Sequence, residues 1–443
     1  MSISLLSQKQ KDAIYAIEDG DNVFITGSAG TGKSFLLQYL KRNYLGSGLH
    51  ITASTGIAAI NVGGQTIHSW SGIGIGNLPI EQLIKNFSSP KFSRLKRRIR
   101  MANMLAIDEI SMISAKTFDL INELFKEVRK NKKAFGGLQI ILFGDFLQLP
   151  PVNRMNDYST NYNFCFQAKG WEELNLRNFI LTEAFRQKDQ NFVNLLNDIR
   201  FGQINENSIQ TLKSRFDAID NENTIKPTIL VTHNAQMDNI NSDQLKQING
   251  QSQKFEATFT GNVNKIEALK KNCIAVDNLE LKIGCQVMML KNTYQKDGVI
   301  NGSLGIVKGF TLKRSFPIVE FKNGVTLTIS PEDWALERYD QEKEELIIDA
   351  KMTQIPLILS WAITIHKSQG MTLDKIRCNL SHSFSDGQIY VALSRVKTLE
   401  GLFIEGLDFN KISANKQVVE FYHNLQDDGL ERALNNKQQT SLF

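Results

Sequence analysis

Residues 23–40 read VFITGSAGTGKSFLLQYL. Val23-Phe24-Ile25 is a short apolar run of strand type, and Phe35 to Leu40 has the spacing of a helix. Between them Gly27 to Ser34 spell G-x-x-x-x-G-K-S. Glycines in such a turn let consecutive backbone N–H groups face phosphate oxygens at a helix N-terminus. Gly27, Gly30, Thr31 and Gly32 are therefore assigned to the phosphate cradle, Lys33 to the β- and γ-phosphates, and Ser34 to a magnesium ion. A glycine-rich turn that binds nothing is the alternative, and the strand and helix on either side weigh against it. The same stretch sets the fold class, because a phosphate loop of this kind joins a parallel strand to its following helix.

Outward from the loop, apolar runs alternate with helical patterns through about residue 150: NVFIT, HITAS, MLAIDE and LQIILFGD. That rhythm predicts a doubly wound parallel sheet. It breaks between Gly72 and Arg100, which reads as an insertion. MLAIDE ends in Asp108-Glu109, where such a fold needs a carboxylate for magnesium and a base for water. Asp108 takes the first role and Glu109 the second. LQIILFGD runs into FLQLPPV, which puts Gln148 where a γ-phosphate contact belongs. A single-domain kinase or GTPase would complete its site locally, whereas a motor borrows arginines from a second domain. Arg186 in LTEAFRQ and Arg395 in YVALSRV are available for that.

A second α/β region is expected from FILTEAFR near Phe179, continuing at TILVTH and returning at LILSWAITIHKSQG. The interruption contains IVEF-KNG-VTLTI, with Asn323-Gly324 between alternating strands, a hairpin signal that suggests a small inserted barrel. The expected boundaries are 1–175 for the first core with an insertion at about 69–100, 176–290 and 353–430 for the second, 291–352 for the barrel and 431–443 for a flexible tail.

The 443 residues are 42% hydrophobic and 22% charged, ordinary for a soluble globular protein and unlike a disordered one. Cys165, Cys273, Cys285 and Cys378 lie far apart with no C-x-x-C pair, which argues against a disulfide framework or a zinc site and for a reducing interior. No run approaches the ~18 apolar residues of a membrane span, and the N-terminus lacks a signal-peptide pattern. A cytoplasmic, nucleoid-associated location is expected. The net charge of +5 permits a polyanionic partner without requiring one.

These segments, in this order, resemble the Pif family of superfamily-one DNA helicases. LLSQKQKDAI is similar to its adenine-reading segment, with Gln10 the favoured reader and Gln8 the competitor. HITASTGIAA and GGQTIHSW resemble its first DNA-contacting segments, DEISM its metal motif, and KAFGGLQIILFGDFLQLPPV its signature stretch. LTEAFRQ, IHKSQGMTLD and YVALSRVKTLEG match the remaining motifs. The resemblance implies two RecA-like cores, a wedge insertion in the first and a Src-homology-three-like barrel in the second. It further implies ATP and Mg2+ as ligands, arginine-finger roles for Arg186 and Arg395, nucleotide contacts at Gln369 and Gly370, and 5′→3′ translocation.

Single strands are gripped by backbone neutralisation and stacking, so the groove should offer hydroxyls, amides and cations at strand-end loops. Thr55, Gly56, Thr66 and His68 supply these in the first core, and Thr364, His366, Lys367 and Ser368 in the second. The run Lys91, Arg94, Lys96, Arg97, Arg98 and Arg100 is either a guide for a duplex or displaced strand or a solvated helix face. The expected activity is ATP-driven stepping along single-stranded DNA by a monomer, with unwinding at single-strand/duplex junctions, RNA–DNA hybrids or G-quadruplexes. The alternatives are another superfamily-one branch, such as a recombination-nuclease subunit or phage replication helicase, and an ATP-switched single-strand-binding protein without unwinding. At the C-terminus, Gln439-Thr440-Ser441-Leu442-Phe443 resembles the Q-x-S-L-F peptides by which bacterial replication proteins dock on a sliding clamp.

Overall fold

Strand β1 (Val23–Gly27) is buried along its whole length, with a parallel neighbour on each edge and packed elements over the sheet faces. It belongs to a six-stranded parallel sheet with β2 (Leu49–Ala53), β3 (Gln65–Thr66), β4 (Met104–Asp108), β5 (Gln139–Phe143) and β6 (Arg177–Leu181), ordered β3-β2-β4-β5-β1-β6. The structure is a computed structural model that describes residues 2–74, 76, 78–151, 164–216, 218–220, 225–340, 345–383 and 385–428. The peptide Gln439–Phe443 lies outside the described residues.

Two compact units divide the chain, residues 1–183 with 336–349 and 415–443, and residues 184–335 with 350–414. In the first, helices α1 (Gln8–Glu18) and α2 (Lys33–Tyr44) pack on the sheet through Ala13, Ile14, Ile17, Leu36, Leu37 and Leu40, all buried against Val23 and Ile25. Burial of aliphatic side chains of this size contributes about 1.5–3 kcal/mol each before entropy is counted. Between β3 and β4 the alternation is interrupted by helices Ile80–Phe87 and Ser93–Met101, so the insertion is helical. The second unit carries a four-stranded parallel sheet ordered Ala362–Thr364, Thr228–Val231, Ile376–Asn379 and Leu402–Gly406. It also holds a five-stranded antiparallel sheet whose hairpin between Pro317–Phe321 and Thr326–Thr328 turns at Gly324, φ 83°.

Three boundaries differ from those expected. The strand in FILTEAFR does not open a second core but is β6, the edge of the first sheet, in register with β1 from Val23↔Arg177 to Gly27↔Leu181. Residues 415–428 fall in the first unit, where the helix Lys416–Asn424 packs Phe421 among Phe24, Phe146, Phe166 and Trp171. The barrel sheet begins earlier and ends later than 291–352. It recruits Gln286–Met289 and Leu357–Leu359, while Glu345–Gln354 pairs with Thr258–Gly261 in a separate sheet. In each case the deciding contact is a strand or helix partner far away in sequence, which periodicity does not register.

Candidate nucleotide site and strand-contact loops

The loop after β1 owes its path to three glycines in positive-φ backbone, Gly27 at 151°, Gly30 at 85° and Gly32 at 88°. A Cβ on Gly27 would stand 2.4 Å from the Leu181 carbonyl oxygen, so only glycine lets the loop pass β6 this closely. Helix α2 starts at Gly32 with no side-chain cap, which leaves its first N–H groups directed at the loop. Lys33 Nζ lies inside the arc, donating to the carbonyls of Gly27 (2.6 Å) and Ser28 (2.9 Å). Thr31 is buried and closes the turn through its hydroxyl to Ser28 O at 2.9 Å, while Ser34 is exposed at the helix start. Gln10 is committed to this loop: its Oε1 accepts from Ser7 N (2.9 Å) and its Nε2 donates to Gly32 O (3.2 Å). Its amide therefore supports the cradle, whereas Gln8 is exposed and pairs with Asp12 at 2.9 Å.

Asp108 is the last residue of β4 and Glu109 follows it, two strands from β1 in the sheet. Burial pushes the Asp108 carboxyl above the usual carboxylate range, helped by the Glu109 charge and opposed by the Glu109 N–H and by Lys33. A desolvated carboxylate beside a second acid needs a nearby cation in order to ionise. Among the described residues no group of three or more His, Cys, Asp or Glu could cage a metal. One buried carboxylate and the Ser34 hydroxyl, both hard oxygen donors, fit Mg2+, which is held by one or two protein oxygens together with phosphates and water. Glu109 has left-handed backbone, φ 53° and ψ 47°, a strained conformation for a non-glycine residue. The sequence held no signal for it.

Strand β5, between β4 and β1, delivers Gln148. Gln148 is buried; its Nε2 donates to Asp145 Oδ2 at 3.3 Å and its N–H to Asp145 O at 3.0 Å. Asp145 is fully buried.

In the second unit Arg186 and Arg395 both bond Ser394, Arg186 at its carbonyl and Arg395 at its hydroxyl. Arg186 Nη1 donates to Ser394 O (2.9 Å), and Arg395 donates to Val391 O (2.8 Å), Ser394 Oγ (2.9 Å) and Ser368 O (3.4 Å). Burial and then the Arg395 charge push Arg186 down to about 9, against the opposing effect of Tyr390. Gln187 organises the pair: buried, it donates to Ser394 O (3.3 Å) and Val396 O (2.9 Å), the carbonyls on either side of Arg395. Its only signal in the sequence is adjacency to Arg186. Gln369 buries Nε2 without a hydrogen-bond partner among the described residues, and Gly370 is exposed at φ 80°.

Thr55, just past the end of β2, and Thr66, the last residue of the adjacent β3, cap the next helices, accepting from Ala58 N (3.3 Å) and Ser69 N (3.2 Å). Gly56 and His68 lie partly exposed beside them. Ligands of open parallel sheets bind at such carboxyl ends. Thr364 and Ser368 are buried instead, closing their turn through Lys367 N→Thr364 Oγ1 (3.2 Å) and Ser368 Oγ→Ile365 O (2.8 Å). Their hydroxyls shape the loop, and His366 and Lys367 are its half-buried members. Of the basic run, Arg98 and Arg100 are spent on the carbonyls of Ser69 (3.3 Å), Trp70 and Val128 (2.8 Å), while Lys91, Arg94 and Arg97 are exposed.

A parallel sheet with a phosphate loop after β1, an acid pair after β4 and a glutamine after β5 defines a P-loop nucleoside triphosphatase with a RecA-like core. Residues 5–210 match the PIF1-like helicase family and residues 266–310 the 2B domain of DNA helicase Pif1. The ATP-dependent DNA helicase PIF1 of Xenopus laevis is 38% identical over 99% of this chain and 66% of its own length. The ATP-dependent DNA helicase Pif1 of Psychrobacter is 37% identical over 90% of this chain and 68% of its own. The chain thus spans just under two thirds of the Xenopus relative. Bacteroides Pif1 in complex with ADP-AlF4 superposes with TM-score 0.82 at 33% identity, covering 95% of this chain and 96% of that one. Bacteroides Pif1 bound to single-stranded DNA superposes with TM-score 0.61 at 31% identity, over 94% and 96%. The chain belongs to the PIF1-like helicase family, and its fold is two RecA-like domains with insertions.

Proposed function

We propose that this chain is an ATP-dependent DNA helicase that steps 5′→3′ along single-stranded DNA and opens duplexes, RNA–DNA hybrids or G-quadruplexes ahead of it. The observation that carries this is the division of the site residues between the units. One unit holds the phosphate loop, the acid pair and Gln148, and the other holds Arg186 and Arg395, both bonded to Ser394. ATP binds through Gly27, Gly30, Thr31, Gly32 and Lys33, with Gln10 reading the adenine and Gln369 and Gly370 as further contacts. Ser34 and Asp108 would hold Mg2+, which would supply neutralisation of phosphate charge when bound. Glu109 takes the proton of the attacking water, Gln148 contacts the γ-phosphate, and Arg186 and Arg395 stabilise the charge that builds during transfer. Thr55, Gly56, Thr66, His68, Thr364, His366, Lys367 and Ser368 line the DNA path, the two buried hydroxyls through the shape of their loop. The curated relatives are named DNA helicases, and the Bacteroides Pif1 complexes with ADP-AlF4 and single-stranded DNA support both ligands.

The protein acts as a monomer at nucleoid DNA, and its last five residues dock on a sliding clamp; no described helix is long and apolar enough to cross a membrane. Strand displacement on duplexes with a 5′ or a 3′ single-stranded tail tests the main proposal. Unwinding of the 5′-tailed substrate alone, dependent on ATP and Mg2+, is expected. DNA-stimulated hydrolysis without displacement of either would replace the helicase with an ATP-switched binding protein. Calorimetry of peptide 433–443 against the cognate clamp tests the tail, and absence of heat would remove that partner.

A further inference from the structure

We infer that Tyr422 is a positioning residue for phosphate cleavage, holding the Asp145 carboxylate that orients Gln148. This rests on Gln148 as the γ-phosphate contact. The Tyr422 hydroxyl stands where two strand ends meet. It donates to Asp145 Oδ1 at 3.2 Å, accepts from Phe146 N–H at 3.1 Å, and pairs with Thr26 Oγ1 at 2.7 Å. Thr26 is the residue before Gly27, the first glycine of the phosphate loop. A single hydroxyl thereby ties the end of β1 to the end of β5. Asp145 is fully buried, and a buried carboxylate sits where its donors put it. Its Oδ1 accepts from Tyr422 and from Leu147 N (3.2 Å), and its Oδ2 from Gln148 Nε2 (3.3 Å).

The hydroxyl is not needed to dock the helix that carries it. Lys416–Asn424 is anchored independently by buried Val418, by Phe421 stacked on Phe166 at 4.3 Å and edge-on to Phe146 at 5.5 Å. Just beyond the helix, Asp428 and Asp427 accept the edge N–H groups of Asn178 (2.6 Å) and Ile180 (3.4 Å) on β6. With so many anchors elsewhere, the hydroxyl serves the Asp145–Gln148 pair. Tyr422→Phe keeps the ring and removes only that hydroxyl.

Steady-state ATPase of full-length Tyr422→Phe, Gln148→Ala and the double variant tests the inference. Tyr422→Phe is expected to lower kcat about tenfold with KM for ATP within about twofold, and to add no further loss once Gln148 is alanine, because coupled residues are non-additive. Wild-type kcat in Tyr422→Phe, or losses that multiply in the double variant, would overturn it. If Gln148→Ala alone retains full kcat, the role of Gln148 itself falls and the inference falls with it. Should Tyr422→Phe fail to fold, Asp145→Asn takes its place, since an amide nitrogen at Oδ2 cannot accept from Gln148. Multiplicative losses of Asp145→Asn and Gln148→Ala then overturn the inference, and non-additive losses support it.

Discussion

The N–H of Glu109 is donated to the carboxylate of Asp108 at 2.9 Å while Glu109 itself is held in left-handed backbone. The bond and the strain go together. The turn aims two neighbouring carboxylates in different directions, so that one is buried and the other stays partly exposed. A strained residue of this kind costs on the order of 1–3 kcal/mol and is retained where function requires the geometry.

Replacing Glu109 with Gln keeps shape and hydrogen bonding but removes the proton acceptor. ATP affinity, followed by fluorescence of a labelled nucleotide, is expected to stay within about threefold, and single-turnover hydrolysis to fall by about 10²–10⁴. Near-normal turnover would take the base role away from Glu109.

Arg186→Ala and Arg395→Ala are each expected to reduce kcat by about 10³ while changing ATP affinity far less, since the lost contact is to charge that develops in the transition state. Lysine should not rescue at Arg395, because one ammonium cannot span the two carbonyls and the hydroxyl that its guanidinium engages. Equal losses in affinity and rate would assign these arginines to ground-state binding.

Gln187→Leu removes the two donors that brace the carbonyls of Ser394 and Val396. Two buried acceptors each lose a partner, so chemical denaturation should show a loss of about 1–3 kcal/mol. Hydrolysis by the fraction that remains folded should also fall, because the backbone carrying Arg395 loosens. An unchanged midpoint would show that the bracing is dispensable.

His50 supplies a pH signature. Its ring lies 5.2 Å from that of Trp70, and burial, with the Arg98 charge second, pushes it down to about 4 from its ordinary 6.5. The folded state therefore resists protonation that the unfolded chain accepts. This contribution is complete above about pH 6.5 and is lost as the pH falls towards 4, roughly 3 kcal/mol in full. Urea titrations at pH 7, 5.5 and 4.5 should show the decline, and His50→Phe should flatten it. An unchanged slope in that variant would place the acid sensitivity elsewhere.

Much of the candidate nucleotide site could be marked in the one-dimensional chain because the residue pattern that phosphate chemistry calls for is local. Gly27 to Ser34 are consecutive, and the strand before them and helix after them announce themselves by short-range periodicity. Asp108, Glu109 and Gln148 follow by the same logic, each at the end of an apolar run. Tertiary structure alone decided the rest. Strand Arg177–Leu181 joins the first sheet because β1 offers it an unpaired edge, and nothing in its own five residues records that. Tyr422 reaches Asp145 across 277 positions of sequence, and Gln187 reaches Val396 across 209. Asp145 carries no pattern that marks it as the pivot between Tyr422 and Gln148. Periodicity reports which face of an element is apolar. Hydrogen bonds between elements depend on how sheets and helices assemble, and that assembly is settled by burial summed over the whole core.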